Sequence, residues 1–153
     1  MKKLTILIFW LLPSLSFAQT ITDTTHRQEE KKDWPSIVNQ HINNIEQNGL
    51  DTAGLGKVML NNMVYDIIFM HSDDSSAIKK GLEYMTILLK SNPEEDAWID
   101  TYAGLLYKIG RKKEAITQQQ KALTIAESQK ADDRVKIYKE NIQKMKKNIP
   151  TWR

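Results

Sequence analysis

The residues able to do chemistry in this 153-residue chain are few and do not converge on one another in sequence. There is no cysteine, so no thiolate nucleophile and no disulfide can form. The three histidines, His26, His41 and His71, are far apart, and none sits in a His-Glu-x-x-His or similar ligand spacing. We therefore expect no metal site and no cofactor. GLDTAGLGKV, from Gly49 to Val58, has a Gly-Lys pair like that of a phosphate loop. That loop needs a glycine five residues before the pair and a Ser or Thr after it, where this chain has Asp51 and Val58. The stretch reads as an entry loop to a helix. The carboxylates of Asp73-Asp74 and Glu94-Glu95-Asp96 stand where helix starts are expected, so they read as caps. No serine stands in a Gly-x-Ser-x-Gly elbow. Lys144, Lys146 and Lys147 read as a solvated helix face. The chain is expected not to be an enzyme.

Partners are constrained by the charge. The chain opens MKKLTILIFWLLPSLSFAQT, with a basic start, an apolar run from Leu4 to Leu12, and Ser16-Phe17-Ala18 as a small-x-small cleavage signal. This is the grammar of a secretory signal peptide, shorter than the ~20 apolar residues of a spanning helix. An uncleaved anchor is the alternative. Loss of Lys2 and Lys3 lowers the formal net charge from +3 to +1. So small a charge gives no field to steer a polyanion, and nucleic acid is not an expected partner. The expected plan is a signal peptide over 1–18, a flexible polar leader over 19–33 and a helical domain over 34–150. The protein is then exported, to the periplasm or the medium.

Helical periodicity dominates the rest. Asp33 or Trp34 precedes Pro35, which suits a first helical turn, and Ile37, Val38, His41, Ile42 and Ile45 follow at helical spacing up to Asn48-Gly49. A second helix is predicted over 55–71, with Val58, Met59, Met63, Val64, Ile67 and Ile68 on its buried side. A third covers 77–90, with Ile78, Leu82, Met85, Leu88 and Leu89 as its apolar positions, and Asn92-Pro93 stops it. Helices over 94–108 and 111–126 flank Gly110. A last one opens at Asp132-Asp133 and carries Val135, Tyr138, Ile142, Met145 and Ile149 on one face before Pro150. No segment reads as a strand, so the fold is expected to be all-α, made of antiparallel helix pairs with short connections.

Small residues at Ala103, Gly110, Ala115 and Ala122 interrupt the stretch DTYAGLLYKIGRKKEAITQQQKAL. Alanine and glycine let two helices approach more closely than the usual ~8 to 10 Å. The spacing resembles the tetratricopeptide repeat: a small residue in the first helix, a turn glycine seven on, an alanine five later and another seven beyond. Tyr102 and Leu106 fill the large apolar positions between. The pattern departs at Ile99, with Trp98 one place before the usual tryptophan position, at Gln119 where an aromatic is usual, and at Glu127 where a proline is usual. The family repeats every 34 residues, and stepping back places Gly81, Leu88 and Pro93 in an earlier, divergent repeat whose small position holds Phe69. The last helix resembles the cap of such arrays.

More narrowly, LNNMVYDIIFMHSDDSSAIKKGLEYMTILLKSNP with WIDTYAGLLYKIGRKKEAI is similar to the helical segment that accompanies thioredoxin-like domains in exported proteins of the Bacteroidetes type. The redox activity does not come with it, for want of a cysteine.

The tetratricopeptide resemblance implies a protein- or peptide-binding module whose inner face shows Asp100, Thr101, Gly104, Tyr107 and Lys108. The lysine and asparagine clamp of some members is replaced by Asp100 and Gly104, which disfavours a peptide carboxylate as ligand. The competing expectation is a structural or self-assembling envelope component. Trp34, Trp98 and Trp152 read as core or edge anchors, with Trp152 open to an exposed position.

Overall fold

The computed structural model describes residues 32–152, so the expected signal peptide and all but the last two residues of the leader lie outside the described residues. The all-α expectation holds: among the described residues there are helices and no strand. Helices α1 (Trp34–Asn48), α2 (Leu55–Met63), α3 (Ser75–Ser91), α4 (Asp96–Lys108), α5 (Lys112–Ser128) and α6 (Asp132–Lys146) follow in order. Between α2 and α3 the helix continues as a π-helical segment, Val64–Phe69.

Of the two residues proposed to open α1, Asp33 is the cap: its carboxylate accepts the Ser36 N–H at 3.3 Å. Asp74 caps α3 in the same way, accepting from Ser76 at 3.0 Å. The reading of Asp96 as a cap is corrected. It is buried at 1% exposure and turned toward α6, where it accepts from Arg134 Nε at 2.7 Å and from the Tyr138 hydroxyl at 3.0 Å.

α4 and α5 form an antiparallel pair. Asp100 meets Gln119, while Pro93, further back, meets Lys121, further on. Ala103, Ala115 and Ala122 are each fully buried. Gly110 closes α4 at φ +84°, with Arg111 N–H on the Leu106 carbonyl and Gly110 N–H on that of Tyr107. That double bond is a Schellman ending, and it requires a left-handed residue at the glycine. α5 and α6 end alike, with Lys130 at φ +56° and Asn148 at φ +57° in the same role.

α6 lies beside α4 in the same direction, since Asp96 reaches Tyr138 and Asp100 reaches Asn141. α3 packs on α4 and on the π-helical segment, and α1 joins α3 through Tyr84, whose hydroxyl donates to Glu46 at 3.0 Å. Val64, Ile68, Ile78, Met85, Leu88, Leu105, Leu106 and Met145 fill the centre.

One expected face is misplaced. Val58 and Met59 are 45% and 70% exposed, and Leu60 is buried instead. α1 packs against α3 and the π-helical segment, so among the described residues no layer covers the outer side of α2.

Candidate functional site

Of the five residues proposed for partner contact, Asp100 and Gly104 line a cleft, Tyr107 and Lys108 meet Trp152, and Thr101 is sealed. Thr101 is 2% exposed, and its hydroxyl donates back to the Ala97 carbonyl at 3.1 Å. Asp100, Gly104, Tyr107 and Lys108 fall on successive turns of α4, at the spacing that aligns them along one face. They do not form the open surface expected of them. Gly104 is buried. The side chain of Lys108 is 3% exposed.

A cavity of about 190 Å³ lies along this face, lined by Tyr65, Phe69, Asp100, Gly104, Gln119 and Asn141, with Met145 and Thr151 closing one side. Phe69, the last residue of the π-helical segment, is 4% exposed. π-helical turns often mark functional positions, because the extra residue per turn re-aims the side chains that follow. Here the turn carries Phe69 over Gly104. A Cβ on Gly104 would stand 2.8 Å from Phe69 Cε2, so only glycine admits the ring. Phe69 and Gly104 are thus one complementary pair, a large residue against the absence of a side chain.

The polar wall is built around Asp100. Its Oδ1 accepts from Gln119 Nε2 at 2.6 Å and from Asn141 Nδ2 at 3.1 Å. Burial pushes the carboxyl above the usual aspartate range, the two amide hydrogen bonds pull it back, and the Asp96 charge adds to the rise. Gln119 is fully buried, and its Oε1 has no hydrogen-bond partner among the described residues. Burial, with Asp100 as the next cause, also pushes the Tyr65 phenol up.

Further along α4, Lys108 Nζ donates to the Phe69 carbonyl at 2.6 Å and lies 3.5 Å from Asp73 Oδ1. The ammonium stands 4.9 Å from the centre of the Trp152 ring. Trp152 meets Phe69 and Tyr107 edge-on, with centroids 6.2 and 6.0 Å apart. Burial pushes the Tyr107 phenol up. The residues that sequence reasoning missed here are Phe69, Gln119, Asn141 and Trp152. Phe69 and Gln119 were visible as departures from the repeat pattern. Asn141 carried no signal, and Trp152 was marked only as an aromatic near the end.

No family model, curated protein or solved structure matches the chain.

Among the described residues, no cluster of three or more His, Asp or Glu could hold a metal ion. His71 is stacked on Trp34, with centroids 3.4 Å apart and planes within 3°. No described helix is long and apolar enough to cross a membrane.

Proposed function

We propose that the chain is an exported, non-catalytic, tetratricopeptide-like helical module that binds a protein or peptide along the α4 face. The reading joins the repeat pattern at Ala103, Gly110, Ala115 and Ala122 to one structural observation. A non-helical stretch of polypeptide, residues 150–152, bends at Thr151 and sets Trp152 against Phe69, Tyr107 and Lys108, so this surface accommodates a side chain carried by non-helical polypeptide. Aromatic edges, one fixed cation and an amide–carboxylate wall suit recognition of side chains. The test is affinity capture from the envelope fraction with the wild-type chain and Tyr107→Ala side by side. A protein or peptide held by the first and lost by the second supports the module. Equal retention by both removes the α4 face from its function.

A second reading, self-assembly, is favoured by a different surface. Leu55, Val58 and Met59 are 79%, 45% and 70% exposed on α2, beside an apolar hollow lined by Ile45, Leu50, Leu60 and Met63. An apolar patch of that kind often covers a partner surface. Light scattering over a range of concentrations tests it: a mass that rises and is returned to that of a monomer by Met59→Lys assigns α2 to assembly.

A further inference from the structure

We infer that the pocket formed by Phe69, Tyr107 and Lys108 is a receptor site for a tryptophan side chain on a partner peptide, and that Trp152 of the chain's own tail is its displaceable occupant. The inference rests on the peptide-binding reading above and names the ligand chemistry.

Three observations carry it. The first is that the pocket walls are held by contacts that do not involve the indole. Lys108 donates to the Phe69 carbonyl and lies beside Asp73, and Phe69 sits over Gly104. The second is selectivity. An ammonium 4.9 Å from a ring centre attracts the indole more strongly than any other aromatic side chain, and two ring edges at about 6 Å complete the enclosure. The third is that the resident tail fits poorly in polar terms. Thr151 Oγ1 and Trp152 Nε1 are both buried and find no hydrogen-bond partner among the described residues. Among the described residues, no backbone hydrogen bond reaches Thr151 or Trp152. Buried polar groups are ordinarily paired, so a peptide that supplies an acceptor for its indole N–H binds better than the tail does. Gln119 Oε1, buried and unpaired in the wall of the adjoining cavity, awaits a donor from such a peptide.

The probe is the synthetic hexapeptide NIPTWR, the sequence of residues 148–153, with NIPTAR as its control. Binding to the full-length chain and to its Trp152→Ala variant is measured by calorimetry, with far-UV circular dichroism to show that the variant is folded. A tail that fills the pocket nine-tenths of the time weakens a competitor about tenfold. NIPTWR should therefore bind Trp152→Ala at least about tenfold more tightly than wild type, and NIPTAR should bind neither. A second measurement needs no altered pocket. In wild type, excess NIPTWR should move the indole N–H resonance of Trp152, assigned with Trp152→Phe, to the position of a solvent-exposed tryptophan. Equal affinity for the two chains, uptake of neither peptide, or an unmoved resonance overturns the inference. So does a wild-type dimer that Trp152→Ala dissociates, which would give the pocket to the tail of a second copy. These failures are separable from failure of the module itself. A partner captured equally by wild type and Trp152→Ala, yet lost by Tyr107→Ala, keeps the binding role and removes only the tail.

Discussion

Phe69 and Gly104 occupy one another's space: the ring lies where a side chain on residue 104 would be, with Cε2 2.8 Å from the position of a Cβ. Gly104→Ala must therefore displace the ring. Overpacking of this kind costs ~1 to 3 kcal/mol, and thermal unfolding should show it. Phe69→Leu in the same chain should recover part of the loss, because the two residues are in contact and their effects do not add. A double variant as unstable as the sum of the singles would mean that the ring has another place to go.

The alanines between α4 and α5 make a companion prediction. Ala115 is fully buried where the two helices approach. Ala115→Leu should lower stability by ~1 to 3 kcal/mol, read from the denaturant midpoint at unchanged m-value.

The three left-handed helix endings differ in what they cost. Gly110 adopts φ +84° without a Cβ, whereas Lys130 adopts φ +56° with one. A left-handed L-residue costs roughly 1 to 2 kcal/mol, so Lys130→Gly should raise stability by up to about 1 kcal/mol after the glycine's extra unfolded-state entropy is subtracted. Gly110→Val should lower it by ~1 to 3 kcal/mol. The opposite signs, measured in one melting experiment, test both assignments.

The stretches legible in sequence were those whose cause is local. Helix positions followed from a 3.6-residue apolar period, and the ending at Gly110 from the one residue type that announces a positive φ. Lys130 and Asn148 end helices with the same geometry but no comparable signal. Val58 and Met59 carried the right period, yet a period marks a face and not the neighbour that must cover it. Asp96 sat in a first turn, where a carboxylate reads as a cap; its partner Arg134 is 38 residues away. Spacing put Asp100, Gly104, Tyr107 and Lys108 on one side of α4, but the approach of Phe69 and Trp152 to it depends on a π-helical turn and on the non-helical stretch after α6. Neither leaves a periodic trace. The exported character, the repeat family and the partner role rest on the sequence and on the proposals above.

The stacking of His71 on Trp34 predicts a pH effect. The imidazole lies below its ordinary value of 6.5, through burial first and then the charges of Lys32 and Lys108, while Asp66 opposes the shift. The folded state holds this proton less tightly than the unfolded state, so the neutral ring favours folding. That contribution is complete above about 6.5 and is lost as the pH falls through the folded value. His71→Gln should flatten the melting temperature between neutral and mildly acid pH. An unchanged pH profile would show that the stack tolerates the charge.

Asp96 and Asp100 lie one turn apart on α4, yet removing their charges should have opposite consequences. Asp96 accepts from a guanidinium and from the Tyr138 hydroxyl, whose own ionisation is pushed up by burial and by the charges of Asp100 and Asp96. Asp96→Ala leaves that buried hydroxyl without an acceptor, a loss of ~1 to 3 kcal/mol. Asp100 is bonded only to the neutral amides of Gln119 and Asn141, and burial holds its carboxyl above the ordinary 3.8. Between 3.8 and that raised value the folded state binds more protons than the unfolded state, so the contribution of Asp100 to stability falls as the pH rises through this window. Above the window the charged form is a standing cost. Asp100→Asn keeps an acceptor for Gln119 and removes the charge, so its melting temperature at neutral pH should equal or exceed that of wild type, and the fall in stability that Asp100 contributes as the pH rises through this window should be absent. A marked loss of stability in Asp100→Asn at neutral pH would mean that the two amides compensate the buried charge fully, and that the carboxylate belongs to the fold as an anion.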